Sequence, residues 1–422
     1  MKVLKKILDI YNHSSLILRI IIGIVLGTGL ALLIPSAEWI STLGTLFVGA
    51  LKAIAPILVA VLVAASLCQR SAKLDRRFAL VIFFYMFSTY LAAFAAVAAS
   101  FLFPQTITLT GGAAAETTAA PGGLGEIVRG LLESLIANPI EALAQGNYLG
   151  ILFWAAIIGL ALKRFAGVRT QEMMQNFSDA ITQVVRWIIN LAPFGIFGLV
   201  FSAVSQSGFD IFVTYGKLML LLVCTMLTVA LILNPLIVGI ALRRNPYPLV
   251  LRCLRESGLT AFFTRSSAAN IPVNLGLCEK LGLDRDMYAV SIPLGATINM
   301  DGAAVTITIV TLATAHTLGI QVSFPAAILL SFLSALAACG SSGVTGGSLL
   351  LIPMACSLFG ISDAISMQVV GVGFIIGVIQ DSMETAINSS GDVLFTATAE
   401  YVHWKKQGKP LPDFMEKPKK KA

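Results

Sequence analysis

The chain has 422 residues, of which 57% are hydrophobic and 12% charged, with a mean hydropathy of +0.86. A soluble domain of this size and balance would expose large apolar patches, so the composition excludes one and points to the lipid bilayer as the chain's solvent. The formal net charge of +7 does not argue for nucleic acid, because Lys and Arg gather at segment ends in KVLKK, QRSAKLDRR, ALKRFAGVR, ALRRNP and EKPKKKA, as the positive-inside rule describes.

The basic start MKVLKKILDIYNHSS leads into an apolar run too long for a signal-peptide core, so the N-terminus is expected to be retained and cytoplasmic. Windows such as LILRIIIGIVLGTGLALLIP and FALVIFFYMFSTYLAAFAAVAASFLF are long enough for a helix to cross roughly 30 Å of hydrocarbon. Their continuity speaks for helices, since barrel strands alternate over about ten residues. Spans are predicted near 15–34, 43–67, 78–103, 148–163, 178–206 and 214–242, with the basic loops on every second side. The Gly-, Thr- and Ala-rich stretch 104–147 suits an external loop with a short surface helix.

Beyond residue 245 the pattern changes. In LVLRCLRESGLTAFFTRSSAANIPVNLGLCEKLGL the polar TRSSAANIP separates two halves too short to span, and both flanks are basic. A helical hairpin entering and leaving on one side satisfies both features. The arrangement recurs at 323–360 around GSSGVTGGS, between flanks of low charge. Each hairpin precedes a longer helix with its own polar stretch, SIPLGATINMDGAAVTITIVTLATA and VVGVGFIIGVIQDSMETAINSSGDVLF. This is the inverted-repeat plan of secondary transporters, whose sites lie near the bilayer midplane. Ordinary tilted helix pairs are the alternative, because Ser and Gly also mark plain helix contacts. The expected class is an all-α integral membrane protein with eight transmembrane helices and two re-entrant hairpins. Residues 1–245 would form mainly a scaffold, with the helices near 78–103 and 214–242 joining a transport core at 246–404, and 405–422 a basic cytoplasmic tail.

On a helix, Asp381, Glu384, Thr385, Asn388 and Asp392 fall on one stripe about 100° wide. Each ionised group at the bilayer centre costs roughly 2.5–3.5 kcal/mol even on lenient scales. Arg265 is the only candidate protein cation for Asp301, Asp381, Glu384 and Asp392. The shortage implies cations from outside. Carboxylate, amide and freed carbonyl oxygens suit a hard ion such as Na⁺, with protons the rival. Gly302 and Gly391 would let the helices unwind beside Asp301 and Asp392. The tips RSSAAN and GSSGVTGG offer helix N-termini and loop amides to a carboxylate. A ligand carrying both carboxylate and ammonium is an amino acid. Six scattered cysteines without a CxxC pair, and the isolated His13, His316 and His403, favour neither a disulfide framework nor a zinc site.

SIPLGATINMDGA, the two serine-rich hairpins and the D…T..N..GD helix resemble the dicarboxylate/amino acid:cation symporters, the family of the glutamate transporters, over essentially the whole chain. Within it the sequence is most similar to the bacterial serine/threonine:sodium branch. The resemblance implies that Asp381 holds the substrate ammonium, that Thr385 and Asn388 contact the amino acid, and that Ser266 and Ser267 with the second tip (Val344, Thr345, Gly346, Gly347) receive its carboxylate. It implies one sodium at Asn388, Asp392 and the carbonyls of Gly295 and Asn299. A second would lie between Thr297, Met300 and carbonyls around Ser341, and a third at Asp301 and Asn299 with Tyr85, Ser88 and Thr89. It further implies a homotrimer in the bacterial inner membrane with both termini cytoplasmic, and a transport unit sliding against the scaffold.

Two departures bear on the substrate. Glu384 stands where the acidic-amino-acid carriers have an arginine, and Ala303 where they have a threonine after NMDG. At an effective dielectric near 20, like charges 4 Å apart repel by about 4 kcal/mol, so an acidic side chain is disfavoured. Glu384 can accept a hydrogen bond from a hydroxyl or pair with Arg265. Sodium-driven uptake of serine and threonine is the expected function; an acidic-amino-acid carrier and an ion channel are the alternatives. No nucleophile and base pair suggests an enzyme, because the serine tips have no His or Lys beside them.

Overall fold

The computed structural model describes residues 16–68, 76–109, 135–208, 210–341 and 346–415, together with 129, 132 and 133. It is helical, with no strand among the described residues. Helices α1 (Leu16–Leu33), α2 (Ser41–Cys68) and α3 (Arg76–Leu102) lie close to the predicted spans. The stretch after α3 carries the short helix α4 (Pro139–Gln145), whose start is capped by Asn138. Helix α5 (Tyr148–Phe165) follows. The predicted span 178–206 is two helices, α6 (Val168–Asn190) and α7 (Ala192–Ser207), bent by 50° where they meet. Pro193 in the first turn of α7 accounts for the break, since its ring offers no N–H for a bond back into α6 and crowds the preceding turn.

Helix α8 (Asp210–Leu242) contains a π turn at Val229–Leu233. The first hairpin rises as α9 (Tyr247–Cys253), passes through a second π turn at Leu254–Gly258 into α10 (Leu259–Thr264), and returns as α11 (Ser267–Lys280). A broken helix follows, α12 (Arg285–Ile298) and α13 (Asp301–Thr317), interrupted at Asn299 and Met300. The second hairpin comprises α14 (Phe324–Ala338), a 3₁₀ turn at Ser348–Leu351 and α15 (Ile352–Ser357). Helix α16 (Asp363–Lys406) closes the fold without interruption. The unwinding expected at Gly391 is therefore absent, and the polar stripe rides on a regular helix.

Among the described residues five helices are long and apolar enough to cross a membrane, or six if α6 and α7 form one bent span. The expected eight are not reached by that measure. Residues Leu18–Leu33 and the apolar parts of the second hairpin, Phe324–Ala338 and Ser348–Ser357, are shorter.

Helices α1, α2, α5, α6 and α7 pack mainly on one another, whereas α3, α8, both hairpins and α12–α13 gather around α16. Large apolar side chains such as Val25, Leu33, Phe165, Phe263 and Ile240 remain exposed. In water that surface would be a liability, whereas hydrocarbon accepts it. Around α16 the apolar core encloses a set of fully buried polar side chains, and these form the candidate site.

Candidate functional site

The tip of the first hairpin is set by its backbone. Arg265 adopts the left-handed conformation (φ 52°) and its N–H closes α10 on the Ala261 carbonyl at 2.8 Å. A non-glycine residue there is strained by roughly 1–3 kcal/mol, and the turn directs its side chain into the protein. Arg265 Nε donates to Asp381 Oδ2 at 2.7 Å. Asp381 Oδ1 accepts the Gly346 N–H of the second hairpin at 3.1 Å. One carboxylate thus ties both tips to α16. Ser266 caps α11 by accepting the Ala269 N–H, and Ser267 is buried in the first turn. Gly346, with φ 71°, and Gly347 lead into the 3₁₀ turn; Val344 and Thr345 lie outside the described residues.

One turn along α16, Glu384 Oε2 accepts from Thr306 Oγ1 at 2.9 Å, Ser348 Oγ at 2.8 Å and Gln380 Nε2 at 2.5 Å. The pairing of Glu384 with Arg265 considered from sequence is not formed. The guanidinium goes to Asp381, and three neutral donors hold Glu384. Thr385 turns its hydroxyl back to the Asp381 carbonyl at 2.7 Å. Ala303 is fully buried beside Gly302. A Cβ on Gly302 would lie 2.6 Å from Glu384 Cα, so glycine lets α13 start against α16.

The break between α12 and α13 carries the next group. Asn299 Nδ2 donates to the Asn388 carbonyl at 2.9 Å and to Asp392 Oδ1 at 3.1 Å. The Met300 N–H is taken by Thr89 Oγ1 at 3.2 Å, and the Gly302 N–H by Asn388 Oδ1 at 2.8 Å. Helical bonds forgone at the break are thus replaced by side chains. A Cβ on Gly391 would meet Asn299 Nδ2 at 2.6 Å; its glycine serves close approach rather than unwinding. The Gly295 carbonyl accepts the Asn299 N–H at 2.9 Å, and Gly295 lies against Asp392 and Tyr85.

Of the three oxygen clusters implied for sodium, the structure joins two of them through Asn299. Asp301 Oδ1 accepts from Ser88 Oγ at 2.9 Å and Thr89 Oγ1 at 3.2 Å. Ser88 Oγ also lies 3.4 Å from Asn299 Oδ1. Tyr85 does not join that cluster: its hydroxyl reaches the Asp392 carbonyl at 3.0 Å and Thr396 Oγ1 at 2.9 Å. At the remaining cluster, Met300 Sδ lies between Ser341 Oγ (3.6 Å) and Asn388 Nδ2 (3.3 Å), while Thr297 Oγ1 is turned to the Leu294 carbonyl.

Several partners escaped the sequence. Asn234 Nδ2 donates to Asp301 Oδ2 at 2.9 Å. Asn270 and Asn274 of α11 clasp Ser389 of α16 at 2.8 and 3.1 Å. Thr306, Ser348 and Gln380 surround Glu384. The one signal available was spacing: Gln380 precedes Glu384, and Asn270 precedes Asn274, by one helical turn.

Among the described residues Arg265 is the one buried Lys or Arg, against buried Asp301, Asp381, Glu384, Asp392 and Glu400. Glu400 pairs with Arg77 at 3.2 Å. Asp301, Glu384 and Asp392 are held by hydroxyls and amides, groups that can turn an oxygen lone pair toward a cation as readily as a proton toward a carboxylate. Two hairpin tips and a broken helix meeting at such a cluster inside an apolar helical protein define a membrane transporter of the secondary-carrier class.

Comparison with known proteins carries this further. The model of the sodium:dicarboxylate symporter family matches residues 16–401, and the chain belongs to that family. It is a transporter, not an enzyme. A serine/threonine transporter SstT of Bifidobacterium adolescentis is 63% identical over 421 residues, covering 100% of this chain and 97% of the relative. Proteins of the same name from Streptococcus agalactiae serotype Ia (57% identical, 94% of this chain and 98% of the relative) and Streptococcus thermophilus (55%, 96% and 100%) are similar over comparable lengths.

Proposed function

We propose that the protein is a sodium-coupled symporter that imports serine and threonine by alternating access. The observation carrying this reading is Glu384, a carboxylate held beside the Asp381 anchor by two hydroxyls and an amide. A site built to accept hydroxyl protons welcomes a short hydroxylated side chain, and its charge repels an acidic one. The names of relatives at 55–63% identity agree with that choice.

The Arg265–Asp381 pair suggests how the substrate backbone enters. A zwitterion can insert its ammonium at Asp381 and its carboxylate at the tips, exchanging one internal ion pair for two external ones without changing net charge. Asp301 and Asp392 with Asn299 and Asn388 are the oxygen groups suited to sodium, and Ser88, Thr89, Met300 and Ser341 complete their surroundings. Sodium binding would order the tips, and by linkage substrate would tighten sodium by the same factor.

The same reading takes the fold as eight membrane-spanning helices with two re-entrant hairpins. The bundle of α1, α2 and α5–α7 is the scaffold, and the elements gathered on α16 are the moving unit. The chain would form a homotrimer in the bacterial inner membrane with cytoplasmic termini. The test is uptake of labelled serine into proteoliposomes against a panel of unlabelled amino acids, with Na⁺ or choline outside. Competition by threonine but not by aspartate, in Na⁺ alone, is the expected result; equal uptake in choline would overturn the coupling.

A further inference from the structure

Asn234 stands on α8 directly after the π turn Val229–Leu233 and before Pro235. Proline has no N–H for the Leu231 carbonyl one turn back, and that carbonyl accepts Tyr247 Oη at 3.1 Å instead. The Asn234 N–H reaches the Val229 carbonyl five residues back. A residue inserted in this way rotates the following side chain by about 100° relative to a regular helix. Asn234 is thereby turned inward, 3% exposed, with Nδ2 on Asp301 Oδ2 at 2.9 Å. Its Oδ1 is buried and has no hydrogen-bond partner among the described residues.

An amide with its donor engaged and its acceptor orphaned in a buried site is costly unless the acceptor is used at some stage. A cation on the Asp301 carboxylate, which Nδ2 already touches at 2.9 Å, can recruit it. We infer that Asn234 is an ion ligand of the Asp301 cluster with two alternating bonds. Its NH₂ compensates the carboxylate when no cation is bound. A half-turn about Cβ–Cγ then presents Oδ1 to a hard alkali cation carried on Asp301. Ser88 and Thr89 are reversible in the same sense, since a hydroxyl donates to a carboxylate or offers a lone pair to an ion. One carboxylate with neutral oxygens from α3 and α8 suits a monovalent cation. The π turn is then the device that brings α8 into the site.

This inference rests on the sodium-coupled reading above. Its test is a NaCl titration of serine binding at constant ionic strength with choline, on purified wild type and Asn234→Leu, which removes both amide functions and keeps the branched shape. The half-saturating sodium concentration is expected to rise about tenfold, while the serine Kd at saturating sodium moves less than about twofold. An unchanged sodium dependence in a folded variant overturns the inference alone. So does a parallel loss of sodium and serine affinity, the signature of a merely structural amide. If the leucine variant does not fold, Asn234→Ala, which also removes both amide functions, is measured: about a tenfold rise in the half-saturating sodium concentration supports the assignment and no rise overturns it. A wild type whose serine binding is indifferent to sodium overturns the coupling reading itself, and the inference with it.

Discussion

Arg265 and Asp381, 116 residues apart in the chain, form a buried ion pair at 2.7 Å, and the Gly346 N–H completes the carboxylate from the opposite hairpin. Removing one member of such a pair strands the other charge, at about 3–5 kcal/mol, whereas removing both is far less costly. Asp381→Ala is expected to lower thermal stability strongly, and Asp381→Ala with Arg265→Ala to recover most of it. Neither is expected to bind serine. Melting curves and calorimetry on the two variants and Arg265→Ala alone form the cycle that measures the coupling. Recovery of serine binding in the double variant would count against Asp381 as the ammonium anchor.

Glu384 is the proposed discriminator of side chains. Glu384→Arg combined with Ala303→Thr is expected to shift preference toward aspartate, read as inhibition of labelled aspartate binding by serine and the reverse. No gain in aspartate binding would contradict the pocket assignment. Glu384→Gln keeps the shape and removes the charge. It is expected to weaken serine binding by about 1.5–3 kcal/mol, the range for a hydrogen bond to a charged group, and to relax exclusion of aspartate.

Asp392 is held by Asn299 at 3.1 Å, with Asn274 at 3.5 Å on its other oxygen. Asp392→Asn is expected to raise the sodium concentration needed for half-maximal serine uptake by about tenfold or more, since even outer-shell partners at metal sites are worth about 10–100-fold in affinity. Sodium titrations in proteoliposomes check it. An unaltered sodium dependence would remove Asp392 from the ion pathway.

Gly302 faces the Glu384 backbone, where a Cβ would lie 2.6 Å from Cα. Neither backbone can yield without moving a helix. Gly302→Ala is expected to cost about 1–3 kcal/mol of stability by overpacking and to impair serine binding through the displaced Glu384. Gly276, which has open space around its missing side chain, is the control: Gly276→Ala is expected to leave both measurements unchanged.

Much of the site was legible in the chain because charges in an apolar helix are expensive and therefore conspicuous. Asp301, Asp381, Glu384 and Asp392 could be singled out on that ground alone. Several of the partners that hold them could not. Asn234, Thr306 and Ser348 are ordinary polar residues in their own segments, and nothing local connects them to a carboxylate tens of residues away. The role of Gly391 was hidden for the same reason. Gly391 stands beside an aspartate in a way that suggests a broken helix, yet its use is to admit Asn299 from another element, which only packing reveals.

Hydropathy and charge placement by themselves determined that this is a helical membrane protein, where most helices lie, and which side chains must be compensated. That much follows from the cost of placing polar groups in hydrocarbon, a property of each segment alone. Which partner compensates which was decided only when α3, α8, α13 and both hairpins closed on α16. Arg265 chose Asp381 over Glu384, and Asn234 was rotated onto Asp301 by a π turn. Hydrogen bonds and ion pairs act over about 3 Å, so their pairing belongs to the tertiary fold.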